Sequence, residues 1–498
     1  MILCLLIAVL LIGGALAWLT GRRSPTLCRW LSLAVVLVNL TLVVVLWARH
    51  FNAGGLDTGG PWLVEFQRAW IPELGISFYL AIDGLSLLMV ALSALIGVMA
   101  VLVSWREIEE RVGVYFACLL WVLAGITGVF MALDLVLFYF FWEVMLIPMY
   151  FLIGVWGHSN RIYAAVKFFI FTLAGGLLML VSILALYFTH GAETGIYTFN
   201  YNLLLGTPMV GPAALWIMLG FFVAFAVKLP AVPIHNWLPD AHTEAPTAGS
   251  LILAALLLKT GAYGLIRFVI PLFPEASATI APWALWLGVL GIIYGAILAV
   301  AQTDLKRLVA YTSVSHMGFV LIGVFSWNEI ALQGTVMQMI CHGISTGALF
   351  MIVGILYERI HTRDVTQMGG LWTAVPKLSG EAMVFAMASL GLPGTGNFVG
   401  EFLILFGVYK ISLPVTVVTL FGIVAATIYS LRIIQTAFHG PATTAFEIDD
   451  LNPREMLMMA PMVIGIFWLG LWPSSVIETF EPALKVLLQL VPTLWGGG

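Results

Sequence analysis

Fourteen near-continuous apolar segments follow one another along the chain, near 1–20, 27–48, 77–103, 113–132, 134–156, 162–188, 213–232, 247–270, 280–302, 306–326, 330–358, 379–406, 413–438 and 455–475. A helix needs about 20 apolar residues to cross the hydrocarbon core of a bilayer. Backbone in lipid must satisfy its own polar groups, which leaves helices and closed barrels. Barrel strands alternate apolar and polar residues over about ten positions. These runs are uniformly apolar and about twice that length. The expected fold is therefore an all-α polytopic membrane protein with about 14 transmembrane helices. Composition agrees: 61% of the 498 residues are hydrophobic and 9% are charged, against about 25% charged in soluble domains. That excludes a soluble enzyme, a disordered chain and a nucleic-acid binder, which needs a basic face.

The four cysteines, Cys4, Cys28, Cys118 and Cys341, form no C-x-x-C pair and read as apolar filler, so no metal site is expected. The longest loops, 49–76, 189–212, 359–378 and 439–454, are too short for a soluble domain. Gly54-Gly55 and Gly59-Gly60 flank a turn-rich loop and do not make a phosphate cradle. No basic residue precedes the first segment, and Arg22 and Arg23 follow it, the order of a retained helix rather than a signal peptide. Twelve Lys and Arg residues fall in the loops after odd-numbered segments, against four in the even loops and termini. That bias puts the odd loops in the cytoplasm and both termini in the periplasm of a bacterial inner membrane.

Five basic side chains remain inside the segments: Lys167, Lys228, Lys259, Arg267 and Arg432. Carboxylates in or near the spans include Asp134, Glu143, Glu381 and Glu401. A mid-helix charge disfavours insertion by about 2.5–3.5 kcal/mol, and such residues are usually functional. Arg267 and Lys167 lie close enough to helix ends to snorkel, and Glu381 starts its span, so solvated or structural roles suit these three. Glu143, in DLVLFYFFWEVMLIPMYFLIGVW, is far from either loop and needs a cation on another helix, a proton or water. Pro148, just beyond it, predicts a bend. Lys228 lies in FFVAFAVKLPAVPIHNWLPDAH, where Pro230 and Pro233 break the helix. Broken backbone at membrane depth must be buried in protein or line a wet cavity. Lys259 follows one segment on. A desolvated lysine can lose its proton, whereas arginine effectively cannot, so buried lysines favour proton exchange over static pairing.

A second break, MASLGLPGTGNFVGEFLILF, comes five segments later, with Gly391, Pro393, Gly394 and Gly396 before Glu401. The offset suggests two five-helix repeats, helices 4–8 and 9–13, with broken helices 7 and 12. Five is odd, so the copies would be inverted across the membrane. The chain then divides into 1–112 (helices 1–3), 113–270 (first repeat), 280–438 (inverted repeat) and 439–498 (loop, helix 14 and tail). Between the breaks lie Thr312, Ser313, Ser315 and His316, then Gln338, His342, Ser345 and Thr346. Gln338, His342 and Thr346 share one helix face. A lone buried histidine is more often structural than functional, but two within a row of polar groups suit proton transfer. His235 and His242, at the end of the first break, are expected to be solvated.

The stretches FYFFWEVMLIPMY, FAVKLPAVPIHNWLPDAHTEAPTAGS, QTDLKRLVAYTSVSHMGF and GLPGTGNFVGEF resemble the antiporter-like membrane subunits of respiratory complex I. Those are in turn similar to parts of multisubunit sodium–proton antiporters. The resemblance covers nearly the whole chain and points to the M-type branch. In that branch the broken twelfth helix carries a glutamate, here Glu401, where L- and N-type relatives usually carry lysine. The chain also reaches Gly498 without length for the lateral helix of the L type. The resemblance implies Glu143 and Lys228 as an ion pair, Lys259 as a central connecting lysine, His316 and His342 as candidate links, and Glu401 as the distal group. It implies a proton-translocating subunit of an NADH–quinone oxidoreductase with no redox site of its own. Flavin, iron–sulfur clusters and quinone are then expected in partner subunits, with no cofactor in this chain. Neighbouring antiporter-like subunits and lipid are the implied partners. A sodium–proton antiporter subunit and a membrane-bound hydrogenase subunit are the rival readings. A pure scaffold has no use for a row of buried lysines.

Overall fold

The computed structural model describes residues 1–52, 61–209, 211–441 and 448–490. Gly54, Gly55, Gly59, Gly60 and the tail to Gly498 lie outside the described residues. Helices α1 (Ile2–Gly21) and α2 (Pro25–Asn52) precede a β-hairpin of β1 (Val64–Ile71) and β2 (Ile76–Ile82). Its strands run antiparallel, with Val64 opposite Ile82 and Arg68 opposite Phe78. Next come α3 (Gly84–Glu107), α4 (Val112–Val129), α5 (Leu135–Trp156) and α6 (Arg161–Thr194). The first break separates α7 (Pro212–Lys228) from α8 (Trp237–Glu244). Then follow α9 (Thr247–Leu272), α10 (Pro274–Ala301), α11 (Leu305–Phe325) and α12 (Glu329–Ile360). The second break separates α13 (Pro376–Ser389) from α14 (Gly396–Tyr409). The chain closes with α15 (Leu413–His439), α16 (Pro453–Leu471) and α17 (Ser474–Leu490). Among the described residues, 12 helices are long and apolar enough to cross a membrane, and α7 and α14 are shorter apolar pieces.

Local chemistry sets several boundaries. Asp83 starts α3 by accepting from Ser86 N at 2.9 Å, so the apolar run at 77–103 begins as strand and turns helical only at Gly84. Asp134 caps α5 through Val136 N and Leu137 N, while its other oxygen accepts from Ser77 N and Oγ on β2. This carboxylate is therefore a cap that ties the hairpin to the bundle. Helix α5 continues through Pro148 to Trp156. Helix α17, which hydropathy misses, buries Val476, Phe480, Leu484 and Leu487 and packs on α3 and α12.

Helices α9 and α12 are buried along their whole apolar length. Small residues allow this close packing. A Cβ on Gly318 of α11 would stand 2.6 Å from the carbonyl oxygen of Gly288 on α10. One on Gly261 of α9 would stand 2.6 Å from the carbonyl oxygen of Phe225 on α7. Helix α9 carries π-helical turns at Leu253–Leu257 and Leu265–Val269, a deviation common near functional groups.

Arg267 does not snorkel. It is buried and paired with Asp83, and its Nε donates to Tyr263 Oη at 3.3 Å. Breaking a buried pair by removing one partner typically costs about 3–5 kcal/mol. Arg267→Ala should therefore lower the thermal stability of the detergent-solubilised protein markedly. The Asp83→Asn/Arg267→Ala double variant should recover part of the loss. Equal melting of wild type and Arg267→Ala would show that the pair contributes nothing.

Candidate functional site: a buried line of titratable groups

Lys228 ends α7, because Pro230 cannot continue the helix. Trp237 Nε1 donates to the Val227 carbonyl at 2.9 Å, satisfying backbone at the break. The lysine is 1% exposed and its Nζ has no hydrogen-bond partner. It sits 5.3 Å from the ring centroids of both Trp142 and Phe168, which hold the cation by its charge. Glu143, on α5, is only partly buried and lies against Gly176 of α6, with Oε1 unpartnered. The two side chains interact electrostatically, yet no direct ion pair joins them. The resemblance implies an ion pair between these groups, and the structure shows them apart.

Lys259 is completely buried on α9. Its Nζ donates to the Ala254 carbonyl at 2.6 Å, in the π-helical turn, and lies 2.6 Å from Nδ1 of His342 on α12. His342 meets His316 of α11 edge to face, with ring centroids 5.5 Å apart. His316 Nδ1 is 2.9 Å from Glu401 Oε1, on α14, and its Nε2 is 3.1 Å from both Ser389 Oγ and Tyr429 Oη. Gln338 Nε2 donates to the same Glu401 oxygen at 3.1 Å. Four helices thus bring Lys259, His342, His316 and Glu401 into one row, hydrogen-bonded at both ends, while His342 and His316 meet ring to ring and His342 Nε2 has no hydrogen-bond partner. Each member can accept and release a proton, and a histidine can do so at either of its two ring nitrogens.

The other charged residues are placed as follows. Lys167 pairs with Asp240 at 2.6 Å, a surface-side ion pair. His235 and His242 are buried, not solvated, because α8 folds back into the bundle after the break. His242 stacks on Phe350, and neither ring nitrogen has a hydrogen-bond partner. Sequence reasoning missed Ser389 and Tyr429 as partners of His316. They lie 73 and 113 positions away, and nothing local marks them. Among the described residues no cluster of His, Cys, Asp and Glu could hold a metal ion.

Comparison with known proteins agrees with this architecture. Residues 132–428 match the family described as NADH:quinone oxidoreductase/Mrp antiporter, TM. NADH-quinone oxidoreductase subunit M of Pseudomonas aeruginosa is 55% identical over 98% of each chain, and that of Escherichia coli K12 is 52% identical over 98% of each. A chain of respiratory complex I from Thermus thermophilus superposes with a TM-score of 0.88 at 31% identity, covering 100% of both chains. A chain of the Mrp complex from Dietzia shares the fold alone, with a TM-score of 0.83 at 23% identity over 100% of this chain and 54% of the other. With the family match spanning more than half of its length, and with relatives this similar end to end, the chain belongs to the NADH:quinone oxidoreductase/Mrp antiporter family of membrane proteins.

Proposed function

We propose that the chain is the M-type membrane subunit of an NADH–quinone oxidoreductase, where it translocates protons while partner subunits carry out the redox chemistry. The observation that carries this reading is the line from Lys259 through His342 and His316 to Glu401, built from exchangeable groups deep among apolar helices. Its relatives bear the name of that oxidoreductase, and in this reading the flavin, iron–sulfur and quinone chemistry belongs to neighbouring chains. In this reading Glu143 and Lys228 receive the signal from a neighbouring antiporter-like subunit, and Lys259 and Glu401 pass the proton on. The odd loops face the cytoplasm and the termini the periplasm of a bacterial inner membrane, following the charge bias of the loops.

Matched backbone details support the inverted repeats at 113–270 and 280–438. Asp134 caps α5 and bridges to Asn200 after α6, while Asp304 caps α11 and bridges to Asp364 after α12. Leu135 N donates to the Phe199 carbonyl and Leu305 N to that of Arg363, the same bond in both halves.

The direct test is purification with partners, followed by NADH–quinone activity and proton pumping in liposomes. No proton uptake dependent on this chain would overturn the reading. Because Glu143 and Lys228 interact electrostatically across the gap between them, we expect Glu143→Ala and Lys228→Ala each to lower pumping several-fold. The double variant should be no worse than the singles. Losses that multiply in this cycle would show that the two groups act independently.

A further inference from the structure

Of the five basic side chains inside the apolar segments, four are met by neighbours. Lys167 has Asp240, Arg267 has Asp83, Lys259 has His342, and Lys228 has the rings of Trp142 and Phe168. Arg432 of α15 is the fifth. It is partly buried and forms no ion pair among the described residues, and its Nε is shielded without a hydrogen-bond partner. A guanidinium stays charged and carries five donors, so apolar surroundings without an anion disfavour it. Arg432 lines a cavity of about 730 Å³ that opens outward from the bundle. Gln435 and Thr436 of α15, Val300 of α10, and Val365 and Met368 in the loop after α12 also line it. The carboxylate of that loop, Asp364, accepts instead from Thr366 N and Oγ1 and from Gln367 Nε2. A π-helical turn, Ile434–His439, begins two residues past Arg432, a deviation frequent at functional sites.

The cavity lies where the spans end. Val300 is in the last turn of α10, and the loop that follows carries Lys306 and Arg307 at its far side. From this level two apolar rows run along the helices toward the membrane centre. Ile428, Val424 and Phe421 are exposed on one face of α15, and Ile297, Tyr294 and Leu290 on one face of α10. Helices α10 and α15 pack together, and Gly422 sits directly on Ile292, which sets the two rows at matching depth. The eleven residues from Phe421 to Arg432 span ~16 Å at a helical rise of ~1.5 Å per residue. That is about half of the ~30 Å hydrocarbon core, the depth of one leaflet. The surface therefore offers one cation at the membrane boundary and a leaflet's length of apolar contact beneath it. A single amphiphile with an anionic head supplies both complements. A protein partner would have to bring a carboxylate into the same cavity.

We propose that Arg432 and the outer faces of α10 and α15 bind an anionic phospholipid of the leaflet at the basic-loop end. The phosphate takes the guanidinium in the cavity, and the acyl chains lie along the two apolar rows. Arginine suits a phosphate because its planar fork matches two oxygens at once. Anionic headgroups at that surface are attracted to basic residues near the boundary.

The test reconstitutes the whole complex into phosphatidylcholine liposomes that carry a trace of a diazirine-tagged lipid. Illumination is followed by mass spectrometry of peptides from α10 and α15. Tagged phosphatidylglycerol should label this face well above tagged phosphatidylcholine. Arg432→Gln should lower the phosphatidylglycerol labelling about fivefold, toward the phosphatidylcholine level. Arg432→Lys, which keeps the charge and loses the fork, should retain part of the excess and gives a second reading should the glutamine variant assemble poorly. Unlabelled phosphatidylglycerol should compete, and inorganic phosphate should not. Equal labelling by the two lipids in wild type, or an unchanged excess in Arg432→Gln, overturns the proposal. So does equal competition by inorganic phosphate, which would make the cavity a site for the free anion. A face that neither lipid labels is covered by a neighbouring subunit, and that result overturns the lipid as occupant.

Discussion

Lys259→Arg should assemble and yet lose at least about tenfold in coupled turnover. The native Nζ stands 2.6 Å from a backbone carbonyl and 2.6 Å from His342 Nδ1. As an ammonium it donates to His342; as a neutral amine it can accept from that ring. The bond therefore persists through both halves of a proton exchange. Arginine keeps the charge but cannot give up its proton, so it freezes the line in one state. Its bulk in a fully buried site adds a packing cost of about 1–3 kcal/mol. Lys259→Met therefore serves as a partner variant, removing the charge at similar length. Both variants should fail in proton pumping measured in liposomes with normal content of this chain. Near-normal turnover in the arginine variant, with loss in the methionine variant, would show that Lys259 serves only as a fixed charge.

The parts of the fold legible in the sequence are those set by local composition. An apolar run of spanning length announces itself, so each of the fourteen segments falls on one or more helices. The same rule misleads where strand and helix are equally apolar. Strand β2 was absorbed into the third segment, although Asp83, three residues before Ser86, is a cap signal that marks the true start. Helix α17 has its apolar residues at helical spacing with Glu478, Glu481 and Lys485 between them. Periodicity shows it where average hydropathy does not. Glycine and proline at both breaks revealed where Lys228 and Glu401 would sit. What stayed hidden was tertiary pairing. Lys259 and His342 are 83 positions apart, and His316 and Glu401 are 85 apart. Their contact depends on how α9, α11, α12 and α14 cross. The π-helical turn that offers Ala254 to Lys259 leaves no sequence mark. Arg267 and His242 misled for a related reason: a position near a helix end does not tell whether a neighbouring helix covers it.

Glu401→Gln should also assemble, and should lower pumping by at least about tenfold. Glu401 is not an isolated charge. Its Oε1 is held by His316 Nδ1 at 2.9 Å and by Gln338 Nε2 at 3.1 Å. Its Oε2 points back to the break, where a Cβ on Gly391 would stand 3.0 Å away. Gly391 has φ +79°, a conformation glycine adopts without strain, so the break leaves room for the carboxylate. Glutamine keeps the acceptor toward His316 and nearly the same volume, but it cannot ionise. Packing should survive while the exchange stops. Glu401→Asp shortens the reach to His316 and should retain part of the activity. Glu401→Lys is the sharper comparison. A cation there faces the Gln338 amide donor, but His316 can turn its other tautomer toward it and accept. A proton can then still cross between the two groups, so this variant should outperform glutamine. The order Asp and Lys above Gln is what a transfer group requires. Should Glu401→Gln match wild type in coupled turnover and in protons moved per electron pair, the line ends at His316, and Ser389 or Tyr429 becomes its outlet.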